Sequence, residues 1–140
     1  MEVGMSKKVG LWIDHRSAFI VSIDERGLTT SVIQSHVEPR FRFSGGSRSS
    51  SAHGTEIASE QKRDKRYMHH LEHYYEQVAD AIAEATRILV LGPGEAKVEL
   101  KKRIEKSKGQ MKPVINVESS DKLTEPQIIA RIREYYKYFE

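Results

Sequence analysis

The chain has 140 residues, the size of one domain, and contains no cysteine, so disulfides and thiolate metal sites are excluded. No apolar run approaches the roughly 20 residues that a membrane span needs, which excludes a spanning segment and predicts a cytoplasmic protein. The formal net charge is +3, and its distribution is more informative than its size. We expect an N-terminal extension at 1–7 followed by one domain at 8–140, with no membrane partner and no cofactor.

The first strands are predicted by two apolar, β-branched segments, 9–14 and 18–23, which are separated by a connection of hairpin length. A second turn ends at Gly27, where glycine is free to adopt a positive φ. Residues 28–36 then alternate between apolar and polar side chains well enough for a third strand. The chain therefore begins with an antiparallel meander.

Residues 44–59 differ in character, because they are rich in glycine and serine and almost free of large apolar side chains. Such a segment cannot bury enough surface to offset the entropy lost on ordering, so we predict a mobile loop.

A local excess of positive charge accompanies this loop, since 39–66 holds seven basic residues and three acidic ones. Guanidinium groups bind phosphates, and glycine allows the backbone to approach them closely. The alternative is a solvated segment whose charges pair with one another. The predicted RNA or anion contacts are Arg40, Arg42, Arg48, Arg63 and Arg66, with Gly45, Gly46 and Ser47 at the loop tip.

A helix is predicted from about 61 to 85, because apolar residues recur there at spacings of three and four. Its first turns carry four basic residues, which oppose the helix dipole and hint at an anionic partner. His69 and His73 share a face, but zinc needs further ligands, so we predict no metal site. The apolar stripe comprises Met68, Leu71, Tyr75, Val78, Ile82 and Ala85.

The short apolar run 88–91 is typical of a strand that is buried on both faces, and a glycine turn follows it. Gly92 and Gly94 are predicted to be structural, since the turn lacks nucleotide-binding spacings and Glu95 would repel a phosphate. A helix with Ala96, Leu100 and Ile104 on one side runs from 95 to about 108.

The C-terminal part predicts a strand at 114–118 and a closing helix whose start has the pattern of a capping box from Thr124 to Gln127. The apolar stripe of this helix comprises Ile128, Ile132, Tyr135 and Phe139. The element order β-β-β-α-β-α-β-α predicts an α/β fold, a mixed five-stranded sheet with helices on both faces.

Four segments in this order resemble a known family: VGLWIDHRSAFIVSI, the glycine-rich loop at 44–54, RDKRYMHHLEHYYEQVADAI and ILVLGPGEAKVELKKRI. The chain resembles the central domain of eukaryotic and archaeal peptide-chain release factor subunit 1 and of Pelota, and related single-domain bacterial proteins. The resemblance runs from about 8 to 139. It implies a ribonuclease H-like fold and a translation-associated module that contacts the ribosome or structured RNA.

The resemblance does not carry hydrolysis with it. In the release factors the loop holds a Gly-Gly-Gln tripeptide that promotes hydrolysis of the peptidyl-tRNA ester, and the matching residues here are Gly45, Gly46 and Ser47. Because the glutamine is missing, we predict no catalytic residue and no peptidyl-tRNA hydrolase activity. Pelota-like domains also lack the tripeptide, and they act at the ribosome.

Two alternatives remain open on the sequence. One is a homodimeric interaction module that buries a sheet edge or the tyrosine-rich closing helix. The other is a metal-dependent nuclease or hydrolase centred on Asp14, which would need converging carboxylates. The candidates for those carboxylates are Asp24, Glu118 and Asp121.

Overall fold

A computed structural model of the chain describes residues 7–36, 53–106 and 112–137, with the backbone alone at 53–61 and 63. The predicted order of strands and helices is confirmed. The elements are β1 (Lys8–Ile13), β2 (Ser17–Asp24), β3 (Gly27–Gln34), α1 (His53–Ala81), β4 (Arg87–Gly92), α2 (Ala96–Glu105), β5 (Val114–Ser119) and α3 (Glu125–Tyr136).

The five strands form one mixed sheet in the order β3-β2-β1-β4-β5, which confirms the predicted α/β class. β1 pairs antiparallel with β2, and β2 pairs antiparallel with β3. β1, β4 and β5 are parallel neighbours. α1 leads from β3 into β4, and α2 connects β4 to β5. The central strands β1 and β4 are buried along almost their whole length, as their unbroken apolar sequences require.

One face of the sheet packs against α1 and α2. The side chains of Leu11, Ile13 and Val90 point to this face and meet a buried stripe of α1 and the apolar side of α2. Because strand side chains alternate, the intervening residues of β1 and β4 reach the opposite face. The helix residues of this core are Leu71, Tyr74, Tyr75, Val78, Ile82, Ala96, Leu100 and Ile104.

Among the described helices, α3 is the one that covers the opposite face. Ile128, Ile132 and Tyr136 contact a layer that includes Trp12 and Leu89. Gly10 makes this contact possible, since a Cβ at this position would lie 2.5 Å from Ile132 Cγ1. The hydroxyl of Tyr136 donates to the carbonyl of Val9 at 2.8 Å, which anchors the end of α3 to β1.

The predicted bounds of α1 and the predicted buried faces of α1 and α3 need correction. α1 begins at His53 and ends at Ala81, so 53–59 belong to a helix and not to the predicted loop, while 44–52 lie outside the described residues. Met68 is 51% exposed, because it lies beside the buried stripe of α1, and Tyr74 is buried. In α3 it is Tyr136 that is buried, with Tyr135 half-buried, because a 3.6-residue period favours either position.

The capping box of α3 is present as predicted. The Thr124 hydroxyl accepts from the backbone N–H of Gln127, and the Gln127 side chain accepts from the backbone N–H of Thr124. The helix α2 ends at Glu105, before the predicted stop. Within the described residues, no helix has both the length and the apolar composition to cross a bilayer.

Candidate functional site

The carboxyl ends of β1, β4 and β5 lie at one edge of the sheet, because these strands are parallel. In open α/β sheets this carboxyl edge commonly holds the ligand site, since the loops that leave the strands converge there. Here the edge carries the turn after β1, the glycine turn after β4 and a long stretch of α1.

The helix α1 extends well past this edge. The Tyr74 hydroxyl donates to the carbonyl of Asp14 at 3.0 Å, which sets Tyr74 level with the end of β1. α1 starts at His53, and at ~1.5 Å per residue about 30 Å of helix precedes Tyr74. Among the side chains that the structure describes, Tyr67 is the first of α1 to pack against the core, and we call 53–66 the α1 arm.

One exposed stripe of basic and histidine side chains begins at Lys62, near the end of the arm, and continues along α1 toward the domain. Lys62, Arg66, His69 and His73 succeed one another at four, three and four residues, and all four are exposed. This stripe lies on the side of α1 opposite the buried residues, so it faces solvent along its length.

The predicted conflict with the helix dipole is wrong. It rested on a helix start near 61, whereas α1 starts at His53 and places Lys62 more than two turns inside the helix. The dipole effect is confined to about the first turn. The basic residues of the arm are therefore not held against a helix terminus.

The predicted contact residues divide between described and undescribed parts of the chain. Arg66 lies exposed in the α1 arm, and Arg63 lies in the same helix. The remaining predicted residues, Arg40, Arg42, Arg48, Gly45, Gly46 and Ser47, lie outside the described residues.

A cluster of polar side chains fixes the base of the arm to the domain. The Tyr75 hydroxyl donates to Glu99 Oε1, and His15 Nε2 lies 3.4 Å from the same oxygen. These three residues come from α1, from α2 and from the turn after β1. Sequence reasoning missed the cluster, because its members are far apart in the chain and show no common spacing.

Burial keeps the phenols at the base of the arm protonated. It raises the pKa of Tyr74, and the negative charge of Asp14 adds to the effect. Burial is also the largest cause of the raised pKa of Tyr75, and its hydrogen bond to Glu99 is the second. Both hydroxyls therefore act as hydrogen-bond donors near neutral pH.

Asp14 serves the turn in which it lies. Its Oδ1 accepts from the backbone N–H of Arg16 at 2.8 Å and of Ser17 at 3.0 Å, the pattern of an aspartate that caps a turn. Among the described residues there is no group of three or more His, Cys, Asp or Glu side chains that could hold a metal ion.

The other carboxylates nominated for a nuclease site are dispersed. Asp24 ends β2 and therefore lies at the opposite edge of the sheet, where it accepts from the backbone of Arg26. Glu118 is paired with Arg131 of α3. Asp121 follows β5, and its backbone carbonyl accepts from Trp12 Nε1 at 3.1 Å. Among the described residues, Asp14 and these carboxylates form no three-membered group that could hold a metal ion.

The glycine turn after β4 is shaped by close contact. Gly92 has φ +153° and Gly94 has φ +65°. A Cβ at Gly92 would lie 2.1 Å from the Ile13 carbonyl oxygen, so the backbone at the end of β4 leaves no room for a side chain beside the backbone of β1. The buried Lys97 donates from Nζ to the Gly94 carbonyl at 2.5 Å and so packs against the turn.

A second group of lysines lies at the amino ends of the parallel strands. Lys102 and Lys106 are exposed near the end of α2, and Lys112 donates to the Glu105 carbonyl at 3.2 Å. α2 connects the end of β4 to the start of β5, so this group is far from the arm.

Comparisons with known proteins agree with this fold. No family model matches the chain, and no curated protein shows significant sequence similarity to it. The structure is similar to the Pelota protein of Thermoplasma acidophilum, with 15% identity over 96% of this chain and 34% of that one, at a TM-score of 0.54. Pelota of Archaeoglobus fulgidus gives 14% identity over 91% and 31%, with a TM-score of 0.53.

The archaeal translation termination factor aRF1 gives 15% identity over 94% of this chain and 34% of that one, at a TM-score of 0.49. The two Pelota structures show that the chain has a Pelota-like fold, which the sequence resemblance predicted. The chain spans about a third of the length of these proteins.

Proposed function

We propose that this protein is a translation-associated module that binds the ribosome or another structured RNA through the α1 arm. The observation that carries the proposal is the exposed stripe of Lys62, Arg66, His69 and His73, which a helix anchored by Tyr74 and Tyr75 presents beyond the sheet. A row of positive and hydrogen-bonding side chains can follow a phosphate backbone without reading its sequence.

The Pelota-like fold supports a role in translation, and the predicted contacts Arg40, Arg42 and Arg48 immediately precede the arm in the chain. The role that we propose is binding and not catalysis. Ser47 stands where the release factors have the glutamine of their tripeptide, and a serine side chain is too short to replace it.

The first test is co-sedimentation of the protein with ribosomes and with isolated subunits across a salt series. Wild-type binding should weaken steeply as salt rises, because counterions compete for phosphates. Replacing Lys62 and Arg66 by alanine should weaken binding, and it should reduce the slope of log affinity against log salt by about 0.7–0.9 for each phosphate that is no longer neutralised. A second variant replaces Arg40, Arg42 and Arg48 together by alanine.

The matched control replaces Lys102 and Lys106 by alanine. This pair has the same four-residue spacing and is also exposed, but it lies at the amino ends of the parallel strands, far from the arm. This variant has the same net charge as the Lys62 and Arg66 variant, so it reports any effect of overall charge. Equal losses of affinity in both variants would contradict binding through the arm. A wild-type protein that stays in the supernatant at low salt would overturn the proposed function itself.

A further inference from the structure

The strand β3 presents an open edge. It is an edge strand of the sheet, and among the described residues no strand pairs with its outer side. The Ser35 N–H donates to the Arg16 carbonyl at 2.9 Å, in register with the β2–β3 ladder. Because antiparallel strands bond to one neighbour through alternate residues, Gly27, Thr29, Ser31 and Ile33 face β2. The backbone groups that point outward belong to Leu28, Thr30, Val32 and Gln34.

Within the described residues, this edge lacks the features that normally prevent strands from pairing. From Gly27 to Gln34 the strand has no charged residue and no proline, and its pairing with β2 is continuous, so no bulge twists it away. Val32, at the centre of the outward set, is 50% exposed.

The other edge strand of the sheet, β5, provides a comparison within the same molecule. β5 follows Pro113 and contains Glu118, which pairs with Arg131, while Asn116 donates to the Tyr135 hydroxyl. A proline and a charged residue are devices that discourage edge pairing. The two edges therefore differ in chemistry, and only β3 is suited to accept another strand.

We propose that β3 pairs antiparallel with β3 of a second copy of this chain. A two-fold axis beside Ser31 places Thr30 of one copy opposite Val32 of the other, and Leu28 opposite Gln34. Every outward N–H and C=O group then finds a partner, and no like charges meet, because the strand is uncharged. The result is one sheet continuous across both copies, with the two α1 arms at opposite ends.

The inference is independent of RNA binding, and it accounts for an edge strand that has no charged residue, no proline and no bulge. The paired strands bury mainly backbone and the exposed part of Val32, so we expect weak association at micromolar concentrations. A second copy of the chain supplies an uncharged edge strand at the same concentration as the first copy. An unrelated protein would have to provide such a strand of its own.

The test combines sedimentation velocity over a concentration series with amide hydrogen exchange of the wild-type protein. Mass should rise from monomer to dimer with concentration. The amides of Leu28, Thr30, Val32 and Gln34 should become protected over the same range, while those of Thr29, Ser31 and Ile33 are protected throughout. A monomer at every concentration would overturn the proposal, and so would protection of the outward amides in the monomer, since that shows pairing within one chain.

Val32→Lys should weaken association by about tenfold or more, because a lysine at an edge strand opposes pairing. The control is Val114→Lys on β5, where the valine is 52% exposed, and association should be unchanged. Thr30→Pro gives an independent variant, since it removes an outward N–H that β2 does not use. Association that survives both β3 variants, or that Val114→Lys abolishes, would contradict the proposed interface.

Discussion

Gly92 and Gly94 flank a single proline, yet the structure makes different demands on them. Gly92 combines a positive φ with a position at which a Cβ would lie 2.1 Å from the backbone oxygen of Ile13. Gly94 has a positive φ, but a Cβ there would meet nothing within 4 Å. The first glycine is required by both space and conformation, and the second by conformation alone.

We therefore expect Gly92→Ala to lower the free energy of unfolding by about 3 kcal/mol or more, since the strand pair must separate to admit a methyl group. Gly94→Ala should cost only about 1 kcal/mol, the penalty of a left-handed alanine. Urea denaturation of both variants measures the difference. Equal losses of stability would show that the close approach to Ile13 is not retained in solution.

The sequence predicted that these two glycines are structural, since turn chemistry is local. It did not predict the polar cluster at the base of the arm. Tyr75 was assigned to the core by its spacing, and that spacing says nothing about a hydroxyl that bonds to Glu99. Contacts of this kind depend on how α1 and α2 pack, which no short segment encodes.

At the level of elements, helix boundaries were the least predictable feature. The apolar residues at spacings of three and four begin at Met68 and predict a helix start near 61, whereas α1 starts at His53. The sequence of the α1 arm carries no apolar stripe, so periodicity cannot indicate where this helix begins. The capping box of α3 was predictable because both of its side chains act within one turn.

The cap of α3 offers a test at this scale. Thr124→Ala removes the acceptor for the Gln127 N–H and should lower the free energy of unfolding by about 1 kcal/mol. Thr124→Ser keeps a hydroxyl and should stay within a few tenths of a kcal/mol of wild type. Thermal or urea denaturation measures both, and a silent Thr124→Ala would show that the helix start is frayed.

For the molecule as a whole, the order of elements and the sheet class followed from the sequence because central strands are continuous apolar runs. The identity of the outward backbone groups on β3 did not follow, since it depends on the phase of pairing with β2. A sequence indicates that a strand exists, whereas its hydrogen-bonding phase is a property of the assembled sheet.

Stability at alkaline pH tests the whole packed structure. The folded protein raises the pKa of Tyr74, Tyr75 and Tyr136 above the ordinary value of 10.0, chiefly through burial. In the unfolded chain these phenols ionise above about pH 10, while the folded state keeps its protons, so the free energy of unfolding falls as pH rises beyond that point.

Urea denaturation between about pH 8 and 11 measures this fall. Tyr75→Phe should reduce its slope by up to one proton, or about 1.4 kcal/mol per pH unit. The same variant loses a hydrogen bond at neutral pH, so the slope and not the absolute stability is the quantity to compare. An unchanged slope would mean that Tyr75 ionises in the folded protein as readily as in the unfolded chain.

The α1 arm has one further consequence. A helix that is anchored at Tyr74 has a fixed geometry toward its start, because each added residue moves the tip by ~1.5 Å and turns it by about 100°. A deletion of one residue between the clamp at Tyr74 and Lys62 would leave the composition of the stripe almost intact and aim part of it sideways. Binding of the proposed RNA partner should therefore be far more sensitive to changes of length in the arm than to changes of residue type.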